Sequence, residues 1–337
     1  MKKLIFLAAA AVTLMASCTK TDLVTPEEYL NPISFENFIH KTTKAESVVT
    51  STLETNGFKV SAYYTPTSGT AGWYFKNLEV SYADSKYSTT YYWPETGTMD
   101  FYAVYPKTFT ISDDKTFVYE NSAAKTDIVT AMDAESTGNC ANHTATASTV
   151  AMTFNHILTQ IYFSGKTSNE NYYCKVSKIE VVANGSVATY TFGSGFSTPE
   201  TEATYTYLNA SSGSEFEVPK TTGATSGTAI LIGTGTPTIA ENSLMVTPNG
   251  DGTAAIATVN VYYKSYDANN HVEIHDFSTS ASKKSFDIKQ WSAGKSVNYV
   301  MTLPVGAEPI EFTATVSDWT AETANVGDGG TGSISWN

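Results

Sequence analysis

The sequence predicts an all-β protein, and three observations carry that reading. Tyr (21) and Phe (16) are abundant, while only 16% of the 337 residues are charged. Aromatic and β-branched side chains suit a pleated, half-buried surface, whereas long helical surfaces need far more Glu, Lys and Arg. Short runs alternating apolar with polar side chains recur along the chain, separated by Gly, Pro, Asn or Asp, which is the pattern of strands and turns. Apart from an N-terminal apolar core, there is no convincing amphipathic helix, no low-complexity tract and no short-period repeat.

Charge narrows the function classes. The net charge is −13, and all 20 basic residues are lysine. Arginine is the usual group for bidentate phosphate and base-edge contacts, so an acidic chain without it makes a poor nucleic-acid binder. Acidic charge gives no attraction to an anionic membrane either, so attachment there must be covalent or apolar.

The stretch "MKKLIFLAAAAVTLMASC" supplies such an attachment. Lys2 and Lys3 precede an apolar run from Leu4 to Leu14, and small residues lead to Cys18. The run is shorter than the roughly 20 residues that span a bilayer but suits the core of a secretory signal. "MASC" resembles the lipobox of bacterial lipoproteins, in which the cysteine is lipidated and becomes the first mature residue. Residues 1–17 are then a lipoprotein signal peptide and Cys18 the lipidation site. Several acyl chains on one residue anchor stably, where a single chain binds only marginally. Cys140 and Cys174 remain; in an exported protein they can pair, but two cysteines carry no metal-site spacing. A disulfide between them and two separate thiols both stay open.

Residues 18–32 are polar, acidic and Pro-containing, and read as a tether. Strands follow from Ile33. "FKVSAYY" sets Phe58, Val60, Ala62 and Tyr64 on one face, "LEVSY" does the same with Leu78, Val80 and Tyr82, and "MDFYAVYP" is a longer apolar run ending at Pro106. "KTFTIS", "KTFVYEN" and "KTDIVTAM" come next. The polar stretch 133–148 then marks an expected boundary between an N-terminal domain (33–145) and a C-terminal one (146–322).

The second part opens with "TVAMTFNHILTQIYF" (149–163), where Val150, Met152, Phe154 and His156 share a face by simple alternation. His156 is therefore expected to point inward, with a backbone carbonyl or hydroxyl as its hydrogen-bond partner. A series of short strands continues to "KSFDI", and "PNGDG" (248–252) reads as a tight hairpin turn joining two of them. "IEFTATVSDW" alternates Ile310, Phe312, Ala314 and Val316. A polar, Gly-rich tail (323–337) ends the sequence.

Taken in order, these landmarks resemble the fimbrillin family of Bacteroidales surface pili. The lipobox and "ISFENFIHKTTKA" match its start, and "MDFYAVYP" with "TDIVTA" looks like the pair of landmarks in its N-terminal domain. "VAMTFNHILTQIYF" is similar to its F-x-H-x-L strand, and "WSAGKSVNYVMTL" followed by "IEFTATVSDW" to its closing pattern. The resemblance implies two tandem β-sandwich domains of transthyretin- or immunoglobulin-like type. It also implies export as a lipoprotein to the surface of the outer membrane, and proteolytic removal of an N-terminal strand. A strand from the next pilus subunit then fills the groove. One departure stands out. The best-known members are cut after arginine, and here the matching position is "TTKA", with Lys44 before Ala45. An uncut chain would keep its lipid and serve as an anchor, a terminal subunit or a stand-alone surface protein.

The remaining residues offer little catalytic chemistry. None of the five histidines (His40, His143, His156, His271, His275) lies in a G-x-S-x-G or H-E-x-x-H motif. His271, Glu273 and His275 would share one strand face, an arrangement able to hold a metal ion. Simple alternation makes that a solvated face instead, with Val272 and Ile274 turned to the core. Trp73, Trp93 and the tyrosines between them read as sandwich core or edge, with a sugar-stacking patch as the other reading. Asp113, Asp114 and Asp328 lie in polar loops, and "GSGFS" and "GTGTP" are glycine turns without the following helix a phosphate loop needs. The expectation is a protein with no catalytic residues, cofactor or metal. It is a fimbrial subunit or adhesin whose partners are other subunits, the outer membrane and a surface glycan or protein. The alternative is a surface glycan-binding lipoprotein of a nutrient-uptake system.

Overall fold

The computed structural model describes residues 32–39, 48–120, 124–133, 149–184, 187–197, 201–218, 229–233, 242–318 and 333–334. The first strands are β1 (Pro32–Ile39), β2 (Phe58–Thr65), β3 (Gly72–Val80), β4 (Tyr82–Ala83), β5 (Lys86–Tyr92), β6 (Thr98–Tyr105), β7 (Thr116–Glu120), β8 (Val129–Asp133) and β9 (Thr149–His156). Then come β10 (Thr159–Thr167), β11 (Tyr172–Asn184), β12 (Val187–Thr191), β13 (Gly195–Phe196), β14 (Glu202–Asn209), β15 (Phe216–Val218), β16 (Ile230–Leu231) and β17 (Leu244–Val246). The last are β18 (Ala257–Asp267), β19 (Glu273–Phe277), β20 (Lys284–Ile288), β21 (Lys295–Leu303), β22 (Glu311–Asp318) and β23 (Ser333–Ile334). The all-β prediction holds, with one addition: a short helix, α1 (Thr50–Asn56), that the sequence pattern does not announce. Its Leu53 joins the core, and Gly57 ends it at φ +70, where a Cβ would lie 2.0 Å from the Val80 carbonyl oxygen. Only glycine fits there.

The first sheet runs β3-β2-β6-β8-β9-β1-β5-β4. It curls over on itself, because rings from its two halves meet. Phe35 of β1 lies 5.3 Å from Phe101 of β6, and Phe154 of β9 lies 5.0 Å from Phe58 of β2. Between the halves sits a core of Ile33, Phe35, Phe58, Val60, Phe101, Val150, Met152 and Phe154, among others. Strand β9 therefore belongs to this first sheet, although the sequence places it at the start of the second part. Alternation sets which way Val150, Met152 and Phe154 point but not which sheet they join.

A second core lies between two further sheets, β16-β10-β21-β22-β23 with β17, and β14-β11-β18-β19 with β15 and β20. Ile161, Phe163, Tyr299 and Met301 from one meet Val176, Val181, Val259 and Tyr263 from the other, and Trp291 is buried with them. "PNGDG" is not a hairpin. It carries the chain from one sheet to the other, since β17 pairs with β10 whereas β18 pairs with β11. Asn249 instead bridges to Trp291, and Gly250 packs against the Lys289 carbonyl.

The two cores are joined by shared structure. Strand β7 from the first part pairs antiparallel with β12 from the second, and β13 extends the ribbon. Beneath it a third cluster gathers Tyr102, Val104, Phe117, Tyr119, Leu158 and Phe192. This explains the unbroken apolar run in β6: Met99, Phe101 and Ala103 face the first core while Tyr102 and Val104 face the third. A strand buried on both faces has no polar alternation to show.

Candidate functional site

Strand β1 lies far in the chain from the strands beside it. It precedes every other described element, yet it lies inside the first sheet, between β9 and β5. With β9 it pairs in parallel over six consecutive residues, from Ser34 opposite Thr149 to Ile39 opposite Phe154. With β5 it runs antiparallel, Phe35 facing Tyr87. Ile33 and Phe35 are fully buried, and Glu36 between the inward positions is exposed. The other face is covered at Ser34, whose hydroxyl lies 2.9 Å from that of Thr149. Asn37, also buried, donates from Nδ2 to the Tyr87 hydroxyl at 2.7 Å. Helix α1 packs against β1 and β4 and closes one end of this region.

The site has a second part where β9 ends. His156 points inward, as alternation predicts, but its partner is a carboxylate, not a carbonyl or hydroxyl. Its Nδ1 lies 3.1 Å from Asp127 Oδ1, and both side chains are buried. Asp127 Oδ2 also accepts the Val48 backbone N–H at 2.9 Å. The segment holding Asp127 is tied to the second core as well. Lys125 Nζ donates to the Ser243 carbonyl at 2.8 Å, and burial lowers its pKa. The Ala124 carbonyl accepts the Met245 N–H at 2.7 Å. One short segment thus touches the chain just after residue 47, the end of β9 and the β17 strand.

The other sequence candidates are dispersed. Cys18, Lys44, Ala45, Cys140, His40, His143 and Asp328 lie outside the described residues. Cys174 is fully buried in the second core, and burial pushes its thiol up to about 12. His271 has a left-handed backbone (φ +57) at the turn before β19 and approaches the Tyr173 hydroxyl at 3.3 Å. Val272 and Ile274 do not turn to the core: they are 58% and 37% exposed, at and just before β19, the last strand in the order of its sheet. Among the described residues no three His, Cys, Asp or Glu side chains group as metal ligands. Trp93 is buried against Phe101 and half-buried Trp73 packs on Tyr63 and Tyr102, whereas Tyr74 and Tyr82 between them stay exposed. Asp113 pairs on the surface with Lys76. No helix of the described residues is long and apolar enough to cross a membrane.

The model of the fimbrillin-like family matches residues 28–319, which include β1, the Asp127 segment and both cores. The chain belongs to the fimbrillin-like family. Among solved structures, this fimbrillin-like chain is similar to a fimbrial protein from Bacteroides vulgatus, with 19% identity and a TM-score of 0.60. That match covers 86% of this chain and 99% of the other. A proposed cell adhesion protein from Bacteroides uniformis matches at 14% identity and TM-score 0.45, covering 88% and 99% of the two chains. The fimbrial anchor protein Mfa2 from Porphyromonas gingivalis matches at 10% identity and TM-score 0.32, over 87% and 99%. No curated protein matches the fimbrillin-like chain at the sequence level. Asp127, Tyr87 and Asn37 were not singled out by sequence reasoning. The one available signal was Asp127, a lone carboxylate before the apolar "IV" of the "TDIVTA" landmark.

Proposed function

We propose that this fimbrillin-like chain is a surface-exposed outer-membrane lipoprotein, lipidated at Cys18, that serves as a fimbrial subunit or adhesin and assembles by strand exchange. Cleavage between Lys44 and Ala45 releases β1, and a strand from a neighbouring subunit takes its place. The two main cores act as tandem sandwich domains. The observation that carries this reading is the position of β1, an N-terminal strand lodged between β9 and β5 with Ile33 and Phe35 fully buried. Taking it out leaves two rows of unpaired backbone groups beside an apolar slot. A new strand satisfies both at once.

The test is N-terminal sequencing of the protein sheared from cells, together with immunogold electron microscopy. A mature start at Ala45 on labelled filaments supports the proposal. A start at Cys18 alone overturns cleavage. Label confined to the cell body, with sugar binding by the purified protein, supports the glycan-binding alternative instead.

A further inference from the structure

The slot filled by β1 is not uniformly apolar. Ile33 and Phe35 enter it as part of the first core, but the third inward residue, Asn37, enters as a hydrogen-bond donor to Tyr87. Tyr87 is fully buried, with its ring 4.6 Å from Phe58 and 5.1 Å from Tyr82. Burial pushes its phenol well above the ordinary tyrosine range, so the hydroxyl stays neutral. Its register partner is Phe35, so the phenol leans along β1 to reach Asn37. With β1 gone, that hydroxyl loses this partner on the wall of an apolar slot.

This matters for register. A slip of one residue turns every inward side chain outward and is excluded by burial alone. A slip of two keeps the apolar face inward, so alternation cannot exclude it. A buried polar group facing an aliphatic side chain is costly, and only one register brings an amide to Tyr87. We propose that the Tyr87 hydroxyl is a register pin for the incoming strand. It selects a strand of a neighbouring subunit that carries an amide side chain two residues from an aromatic and four from a branched aliphatic, as β1 does with Asn37, Phe35 and Ile33. This rests on the strand-exchange reading and names the chemistry of the strand accepted.

The experiment uses the full mature chain with a specific protease site placed between Lys44 and Ala45, nicked after folding. Fluorescent peptide NPISFENFI, and the same peptide with Leu in place of Asn37, compete for uptake in exchange for the nicked strand. Wild type should take up the Asn peptide at least tenfold better, and Tyr87→Phe, which keeps the ring, should shrink that preference to twofold or less. Equal uptake of both peptides by wild type overturns the pin and leaves strand exchange standing. An undiminished preference in a folded Tyr87→Phe chain also overturns it. Uptake of neither peptide overturns strand exchange, and the pin with it. The wild-type comparison decides the matter alone if Tyr87→Phe fails to fold.

Discussion

His156 and Asp127 form a buried pair, with Nδ1 of the imidazole 3.0 Å from one carboxylate oxygen and 3.1 Å from the other. The same carboxylate holds the Val48 N–H, so one side chain ties the end of β9 to the residue that leads into α1. Removing either partner leaves a buried polar group short of a bond. Asp127→Ala should cost about 3 kcal/mol, since it takes a buried bond from both the imidazole and a backbone donor. His156→Ala should cost a similar amount and abolish no reaction. Urea unfolding checks both, and a loss under about 1 kcal/mol for Asp127→Ala would show that the pair does not hold this junction together.

Strand β1 should split sharply by position. Phe35 is fully buried, with its ring 5.3 Å from Phe101 and 6.3 Å from Phe58. Phe35→Ala should destabilise the uncut chain by about 3–5 kcal/mol through the cavity it leaves. Glu36→Ala, on the exposed face, should stay within about 0.5 kcal/mol. Thermal unfolding of the two variants tests this. Equal effects would mean that β1 does not sit in the sheet as described.

How much of this was legible beforehand depends on what a local pattern can encode. Facing direction was readable: Val150, Met152, Phe154 and His156 all point inward, and Ala314, Phe312 and Val316 pack on one core. Pairing was not, because it depends on residues far apart. Asp127 and His156 are 29 positions distant, and Asn37 and Tyr87 are 50 apart. The turn chemistry of "PNGDG" was sound, with Gly250 and Gly252 at positive φ, but a turn does not say whether its flanking strands pair. Val272 and Ile274 read as core because alternation reports two faces without reporting whether both are covered. Helix α1 stayed hidden because seven residues, five of them Thr, Ser or Asn, make no amphipathic stripe.

Cys174 offers a test of the unresolved thiol chemistry. It is fully buried on β11 opposite Val218 and Ser265, and burial holds its pKa up to about 12, so almost no thiolate forms at pH 8. In the folded chain it should resist iodoacetamide at pH 8. In urea without reductant it should become fully alkylated. Mass spectrometry of the peptides reads this directly. Protection that persists in urea and disappears only with reductant would instead place Cys174 in a disulfide, with Cys140 as the partner the sequence offers.

The shared ribbon makes a claim about cooperativity. Phe192, from the β12–β13 hairpin, lies 5.3 Å from Tyr102 on β6 and 6.1 Å from Phe117 on β7. The Tyr190 hydroxyl is 3.1 Å from that of Thr130 on β8. The second part of the chain thus completes a cluster whose other half belongs to the first sheet. Contacts of this kind couple two cores into one unfolding unit, whereas cores joined only by a linker melt separately. Wild type should unfold in urea in a single transition. Phe192→Ala should lose about 3 kcal/mol and let the two cores exchange amide hydrogens at different rates. Hydrogen-exchange mass spectrometry across the transition is the measurement. Two separate wild-type transitions would mean that the ribbon and its aromatic cluster do not couple the cores.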